Sequence, residues 1–298
     1  MTNVKEFERV AAARGILPEG IVWRSTGEQL SWVDIELGLL HVAAVDGGSV
    51  RMKSIFDLGD QLGCALPSAA GGWICGLGRS LATVSELGIV SATPPLLGDS
   101  ERFNDGHIDP QGRLVIGTLN TNGPDGRQLL LRLESDGRVA IIDDGVGISN
   151  GIAWSPDGLT MFHADTAARA ITRRDYGDVI GPPEVFAVID GMPDGIAVDA
   201  DGRLWVTVFD QGRVDVYSAA GELLPEQSIV LPNAHIASVG FAGPSLDVLV
   251  LATGMPVMPQ WLRRRRGDDG YLFVGHSVTT GQAATEWIPT ELPHRIER

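Results

Sequence analysis

Four oxygen-bearing side chains, Glu19, Asn104, Asn150 and Asp194, recur at one phase of a repeated sequence pattern. Each lies close to a glycine, in the stretches EGIVW, NDGHID, SNGIAW and PDGIAV, and glycine allows a close approach of the backbone. Carboxylates and amides gathered at one place are costly unless they are paired or bind a cation. The set suits a hard divalent cation, which would polarise an acyl or phosphoryl oxygen and activate water. These residues therefore predict a metal-assisted hydrolase.

The phase of this pattern is set by turn glycines that recur about 43 residues apart, a spacing typical of propeller repeats. The six turn glycines are Gly27, Gly71, Gly112, Gly158, Gly202 and Gly243. In each copy, a polar turn closes on the glycine and a short apolar run follows. This arrangement predicts a β-hairpin whose turn glycine supplies a positive φ.

Repeats of this length cannot bury both faces of a sheet alone, whereas sheets stacked around an axis can. The repeat therefore predicts an all-β, six-bladed β-propeller with a central channel. A β-sandwich or jelly roll would be equally rich in turns, but its strands do not repeat at this interval. A helical pattern occurs only over residues 4–14, where we expect a short amphipathic helix that caps or trails the first blade. With no linker or charge block in the chain, we expect one domain over residues 1–298, with its core at about 15–290.

Six equivalent positions lie eight residues before the turn glycines, in the loops expected to lead into the innermost strands. They are occupied by Glu19, Gly63, Asn104, Asn150, Asp194 and His235. Radial symmetry should make them neighbours at one mouth of the channel. Glu19 and Asp194 would supply negative charge and Asn150 a neutral oxygen, which favours calcium or magnesium over zinc. The residues leave open whether Asp194 also takes a proton from water or is only a ligand.

Two further residues are candidates for substrate contact. His235 is in phase with the predicted ligands. Trp261 follows the segment GMPVMPQ, an apparent excursion between strands of the last blade. Together with Met255 and Met258, its ring is expected to form an apolar wall over the channel mouth.

The composition disfavours several other classes of function. The 298 residues contain 23 Lys and Arg against 38 Asp and Glu, a net charge of −15, which disfavours nucleic acid as a partner. The one basic cluster, Arg263 to Arg266, is followed by Asp268 and Asp269, so we interpret it as a solvated loop. No window approaches the roughly 20 apolar residues that a transmembrane helix needs. We expect a cytoplasmic protein without membrane contact, whose two cysteines, Cys64 and Cys75, are free and buried.

A serine-hydrolase pattern is also present, in Gly147-Ile148-Ser149-Asn150-Gly151. That pattern requires a strand before the serine and a helix after it. The residues that follow, IAWSPDGLTMFHAD, are typical of strand, turn and strand. Ser149 is therefore not expected to be a nucleophile.

Over roughly residues 15 to 275, the chain resembles the senescence marker protein/gluconolactonase/regucalcin family. The likeness rests on EGIVW with WVDI, GCALPSAAGGW, RFNDGHIDPQGRLVIGT, SNGIAWSPDGLTMFHADT and PDGIAVDADGRLWVTVF. It implies a six-bladed propeller that hydrolyses lactones with a divalent cation as Lewis acid. Calcium is the first choice of ion, with zinc, magnesium and manganese as alternatives. By resemblance, Glu19, Asn150 and Asp194 bind the metal and Asp194 is also catalytic, Asn104 contacts metal or substrate, and Arg102 holds lactone hydroxyl groups.

One departure from the family bears on the substrate. Asn120-Thr121-Asn122 stands where sugar-lactone hydrolases often have an acidic residue, which leaves a less polar lactone open as substrate. Two alternative hypotheses remain: the protein is a phosphotriester or fluorophosphate hydrolase, or it is a calcium- or metabolite-binding propeller without turnover. Arg102 and Asn104 beside the ligands favour turnover, because binding alone needs no anchor. We expect a small-molecule lactone as partner and a monomer or small homo-oligomer.

Overall fold

A computed structural model describes residues 7–10, 13–46, 48–231, 234–255 and 267–297. In these residues, 24 strands form six antiparallel sheets of four strands each, arranged around a central channel. The first three blades contain β2 (Pro18–Arg24), β3 (Gln29–Asp34), β4 (Leu39–Asp46) and β5 (Ser49–Asp57); β6 (Leu62–Pro67), β7 (Trp73–Leu77), β8 (Ser80–Ser85) and β9 (Gly88–Ala92); and β10 (Glu101–Ile108), β11 (Leu114–Asn120), β12 (Gln128–Leu133) and β13 (Val139–Val146). The other three contain β14 (Ser149–Trp154), β15 (Thr160–Asp165), β16 (Ala170–Asp175) and β17 (Glu184–Val188); β18 (Pro193–Val198), β19 (Leu204–Val208), β20 (Arg213–Tyr217) and β21 (Ile229–Val230); and β22 (Ile236–Ala242), β23 (Val248–Thr253), β24 (Leu272–His276) and β1 (Glu8–Val10). The predicted six-bladed propeller is confirmed.

The sixth blade joins the two ends of the chain, because β1 pairs with β24 in the register Arg9↔Phe273. The expected helix over residues 4–14 is therefore wrong at residues 8–10, and residues 1–6 and 11–12 lie outside the described ranges. Hydrogen bonding to the open edge of β24 outweighs a weak local preference for helix. Within the described ranges, helical structure is confined to two 3-10 turns, Ser25–Gly27 and Phe209–Gln211, so no helix there could span a bilayer.

The turn glycines behave as predicted in five blades. Their φ values range from 72° at Gly158 to 90° at Gly71, in the region that favours glycine. Gly27 is the exception, because the 3-10 turn Ser25–Gly27 moves the left-handed residue one position on, to Glu28 with φ 46°. The prediction of a positive φ at Gly27 is therefore wrong.

Apolar side chains fill the spaces between adjacent blades, so each sheet packs against a neighbour on both faces, whereas outermost strands such as β5 stay largely exposed. Trp32 in the first blade and Trp205 in the fifth are each only 1% exposed. Cys64 and Cys75 lie on the neighbouring strands β6 and β7, and both are free and buried, as predicted. Burial raises the pKa of the Cys64 thiol to about 12, so this sulfur is an inert packing group near neutral pH.

The C-terminal segment crosses one end of the channel. Gln282 Nε2 donates to the carbonyl oxygens of Trp154 and Val198, the last residues of the innermost strands β14 and β18. Further along, the amide of Trp287 donates to Pro67 O, at the end of β6. The predicted site residues lie near the beginning of the same innermost strands. The segment therefore covers the mouth opposite the candidate site.

Candidate functional site

The innermost strand of every blade contains a β-bulge near its beginning. The register shifts directly after Glu19 in β2, and across Asn150 in β14 and Asp194 in β18. A bulge leaves a residue out of regular pairing and redirects its side chain, here at the channel mouth. Glu19, Asn104, Asn150 and Asp194 thus belong to the innermost strands, so the expectation that they lie in the preceding loops is wrong. Only His235 immediately precedes its strand, β22.

Five of the predicted site residues lie together at this mouth. Asn104 Nδ2 donates to Asn150 Oδ1 at 2.7 Å, and Arg102 Nη1 donates to Asn104 Oδ1 at 2.7 Å. The carboxylate of Glu19, from the first blade, interacts electrostatically with Asp194 of the fifth and with Arg102 of the third. Residues from four blades therefore share one small polar region.

Glu19 and Asp194 are two buried carboxylates, each 7% exposed. Burial raises the pKa of Glu19 well above its ordinary value, and the charges of Asp194 and Asp105 raise it further. Burial also raises the pKa of Asp194, again with a contribution from Asp105. Within the described residues, Asp194 Oδ1 is fully buried and has no hydrogen-bond partner. An unpaired acceptor between like charges is the arrangement that a bound cation would stabilise.

Asp105 is a functional candidate that the repeat did not single out. It lines a channel cavity of about 340 Å³ together with Gly20 and Gly195. Burial raises its pKa to about 6, against the lowering effect of the hydrogen bond from the Gly106 amide. The only sequence signal was its place next to Asn104, where Asp before Gly is an ordinary turn former.

Arg102 is almost completely buried, which lowers the pKa of its guanidinium, whereas the charges of Glu19, Glu36 and Asp194 raise it. Its Nη1 donates both to the carbonyl oxygen of Phe103 and to Asn104 Oδ1. Arg102 therefore orients Asn104 and supplies the positive charge among the carboxylates. This position of Arg102 is compatible with its predicted role in anchoring the substrate. Orienting Asn104 is a second, structural role of the same side chain.

His235 has a different set of partners from the other predicted residues. Its backbone amide donates to Asp269 Oδ1 at 2.8 Å, and its Nδ1 lies 3.0 Å from both Asp269 carboxylate oxygens. Because a carboxylate only accepts, the pair places the ring proton on Nδ1. The ring of Phe209 stacks on His235 with centroids 5.1 Å apart. Trp261, the other predicted substrate contact, Met258 and the Arg263 to Arg266 cluster lie outside the described residues.

The serine-hydrolase pattern is structural. Ser149 begins strand β14 and the next element is strand β15, without the helix that a nucleophile elbow requires. Its Oγ lies 2.8 Å from His163 Nε2, but the serine is 0% exposed and inaccessible to a substrate. Burial lowers the pKa of His163 to about 4, and Arg174 lowers it further, against opposing effects of Asp165 and Asp143. His163 is therefore a neutral packing group.

The buried His163 should make stability depend on pH. Because its folded pKa, about 4, lies below the ordinary 6.5, the unfolded chain binds the proton first as the pH falls. The free energy of unfolding should therefore decrease by up to about 3 kcal/mol between pH 6.5 and pH 4 through this group. Urea unfolding of wild type and His163→Gln at several pH values would measure this decrease in the free energy of unfolding. Parallel pH profiles for the two proteins would contradict the prediction.

The candidate cation ligands include too few carboxylate and imidazole groups to be recognised as a metal site from their residue types alone. Among the described residues, no three His, Cys, Asp or Glu side chains form a recognisable metal cluster. The predicted set contains only two carboxylates, with Asn150 as the third donor. Its candidacy therefore rests on convergence at the mouth and on the unpaired Asp194 oxygen.

Comparison with known proteins identifies the family. A family model described as "SMP-30/Gluconolactonase/LRE-like region" matches residues 17–255. The chain belongs to this family. The 6-deoxy-6-sulfogluconolactonase of Pseudomonas putida is 34% identical over 249 residues, which are 80% of this chain and 83% of that protein. The pentonolactonase of Haloferax volcanii is 32% identical over 251 residues, covering 80% and 81%. Regucalcin from Agrobacterium tumefaciens, described as a calcium-binding protein, has a similar structure, with a TM-score of 0.83, 21% identity and coverage of 96% and 99%.

The SMP-30/gluconolactonase/LRE-like match confirms the resemblance deduced from the motifs. It begins two residues before Glu19 and includes Arg102, Asn104, Asn150, Asp194 and His235. Trp261 follows the matched region. The mouth built by the innermost strands is thus contained in the part of the chain that defines the family.

Proposed function

We propose that this protein hydrolyses the ring ester of a lactone with the help of a divalent cation held at the channel mouth. The observation that carries the proposal is the convergence of Glu19, Asn150 and Asp194, in which Asp194 Oδ1 is buried and has no hydrogen-bond partner among the residues that the structure describes. Membership in the lactonase family and the names of the two sequence relatives support lactone hydrolysis.

The residues present fit a hard cation. Glu19 and Asp194 would contribute charged oxygens and Asn150 Oδ1 a neutral one. A donor set made only of oxygens favours calcium, magnesium or manganese over zinc. The description of the Agrobacterium regucalcin as calcium-binding makes calcium the first choice. When bound, such an ion supplies Lewis-acid polarisation of the ester carbonyl and lowers the pKa of water.

The protein side chains divide the remaining work. Arg102 and Asn104 lie beside the carboxylates and would hold hydroxyl or carbonyl oxygens of the lactone. Asp194 accepts the proton of the attacking water. The water oxygen then bonds to the carbonyl carbon, the ring C–O bond breaks, and the proton passes to the released ring oxygen, which gives a hydroxy acid. His235, fixed by Asp269, would contact the substrate from the sixth blade.

The class of substrate follows from the polarity of the mouth. Glu19, Arg102, Asn104, Asn150 and Asp194 are all charged or amide side chains, which favours a polyhydroxylated sugar lactone over an alkyl lactone. Asn120, at the end of β11, donates through Nδ2 to Asp125 Oδ2 at 2.9 Å, so a carboxylate lies close to the position where the family often has one. We therefore propose an aldonolactone-like substrate.

A pH-indicator assay over five- and six-membered sugar lactones, alkyl lactones and a phosphotriester tests this function. The purified protein is stripped with chelator, then resupplied separately with calcium, magnesium, manganese and zinc. We expect ring opening of sugar lactones at least tenfold above the spontaneous rate, loss of activity in chelator and recovery with an oxygen-preferring ion. Ser149→Ala should keep this activity, because the serine is buried away from substrate.

Three results would contradict the proposal. Undiminished hydrolysis in chelator would exclude the role of the cation. Faster hydrolysis of the phosphotriester than of any lactone would favour the alternative that the protein is a phosphotriester or fluorophosphate hydrolase. Binding of calcium without turnover of any lactone would make the protein a binding propeller.

A further inference from the structure

The amide of Asn150 can present either its oxygen or its nitrogen to the site, and only the oxygen can bind a cation. Something must therefore fix its orientation. Asn150 Nδ2 lies 2.7 Å from Thr166 Oγ1, and Thr166 Oγ1 lies 2.6 Å from the carbonyl oxygen of Pro193. Thr166 is 6% exposed and follows β15 directly.

The available donor protons and acceptor lone pairs allow these hydrogen bonds only one direction. Pro193 O can only accept, so the single hydroxyl proton of Thr166 goes to it. The hydroxyl then has only lone pairs to offer, and Asn150 must turn its NH₂ group toward Thr166. Asn150 Oδ1 is thereby turned away from Thr166, toward Asn104 in the candidate site.

The opposite end of the chain of hydrogen bonds imposes the same direction. A guanidinium can only donate, so Arg102 Nη1 fixes the acceptor side of Asn104, whose Nδ2 then donates to Asn150 Oδ1. The bonds run Arg102 to Asn104 to Asn150 to Thr166 to Pro193 O, and they link the third, fourth and fifth blades. Both termini have a single polarity, so no member can reverse without losing bonds.

We propose that Thr166 is a positioning residue that holds Asn150 with its carbonyl oxygen toward the site and so raises the affinity of the site for a divalent cation. The inference rests on the proposed function for the identity of the bound group. The Thr166 backbone is held independently, because its amide donates to Ile148 O at 3.1 Å. Removing the hydroxyl should therefore disturb the orientation of Asn150 without displacing the turn.

Isothermal titration of chelator-stripped protein with calcium chloride tests this role in Thr166→Val, Thr166→Ser and wild type. Outer-shell partners of metal ligands typically contribute about 10–100-fold to affinity. We expect Thr166→Val to weaken calcium binding by about that factor, and Thr166→Ser to stay within about threefold of wild type, because serine keeps the hydroxyl. Equal affinities for wild type and Thr166→Val would overturn the proposal.

Thr118→Val is the matched control. Thr118 is 0% exposed, and its hydroxyl also both donates, to Gln128 Oε1 at 3.1 Å, and accepts, from the Leu129 amide at 2.8 Å. It makes these bonds between β11 and β12 of the third blade. Both Val variants should lower the thermal midpoint similarly, but only Thr166→Val should weaken calcium binding. Equal weakening by Thr118→Val would show a general loss of rigidity and would overturn the specific role.

A second measurement does not depend on the metal. The side-chain NH₂ protons of Asn150, identified in ¹⁵N spectra by their loss in Asn150→Asp, should exchange with solvent at least about tenfold faster in Thr166→Val than in wild type or Thr166→Ser. Equal exchange rates in all three proteins would overturn the proposal. If wild type bound no divalent cation but the exchange rates differed as expected, the proposed metal function would fail, whereas the positioning of Asn150 by Thr166 would stand.

Discussion

Asp194→Asn should lower kcat/KM for lactone hydrolysis by at least about a thousandfold, and should at the same time stabilise the protein in the presence of chelator. A thousandfold loss corresponds to about 4 kcal/mol of transition-state stabilisation, within what a lost metal ligand and proton acceptor can account for. The amide keeps the shape of the carboxylate but has neither its charge nor its basicity. Steady-state assays with a sugar lactone at saturating calcium would measure the loss.

The gain in stability follows from what surrounds Asp194 when no cation is bound. Its Oδ1 is buried without a partner in the described structure, and the carboxylates of Glu19 and Asp105 lie close enough to interact with it electrostatically. Removing one of these like charges should raise the free energy of unfolding by about 1–2 kcal/mol in chelator. In calcium, the order should reverse, since only wild type gains stability from binding.

Asp199→Asn is the matched control at the other end of β18. The Asp199 carboxylate is 0% exposed, and its Oδ2 accepts from Arg203 Nε at 2.7 Å and from Trp205 Nε1 at 3.0 Å. Removing this fully satisfied charge should destabilise the protein by about 1–3 kcal/mol, with or without calcium. Retained activity in Asp194→Asn, or destabilisation by both substitutions in chelator, would contradict our interpretation of the site.

Repetition explains why so much of the architecture could be predicted. A blade is a local hairpin assembly, so its turn glycines appear at a regular interval in the chain, and residues at one phase meet at one mouth. Glu19, Asn150 and Asp194 were found in this way although they belong to the first, fourth and fifth blades. Each of these three residues is directly followed by a glycine, and at Gly151 and Gly195 the structure shows why, because backbone of the next innermost strand packs against the glycine.

Features that depend on contacts between distant residues left no such signal. The pairing of β1 with β24 joins segments more than 260 residues apart, and the local pattern over residues 4–14 predicts a helix where residues 8–10 form a strand. Thr166 lies outside the repeated phase, and the direction of its hydrogen bond with Asn150 is set only because a turn of the fourth blade touches Pro193 of the fifth. Asp105 is next to a predicted residue, but its burial in the channel depends on the closure of the whole ring.

The glycines at the mouth can be tested through Gly151. A Cβ built on Gly151 would lie 2.5 Å from the amide nitrogen of Ile196 and 2.7 Å from the carbonyl oxygen of Asp194. Both are backbone atoms of β18, which cannot rotate away as a side chain would. Gly151→Ala should therefore push β14 and β18 apart at the level of Asn150 and Asp194. Overpacking typically costs about 1–3 kcal/mol, and we expect the upper end of that range or more, because backbone must move.

Gly177→Ala provides the comparison, because a Cβ there meets no atom of the described residues within 4 Å and its backbone is outside the left-handed region. Alanine at such a position should be neutral or stabilise by up to about 1 kcal/mol, since it reduces the entropy of the unfolded chain. Urea unfolding of both variants measures the contrast, and calcium titration shows whether separating β14 from β18 also weakens the site. Equal stability of the two variants would mean that the innermost strands can relax at Gly151. In that case the close packing of β14 against β18 would not be what holds Asn150 and Asp194 together at the mouth.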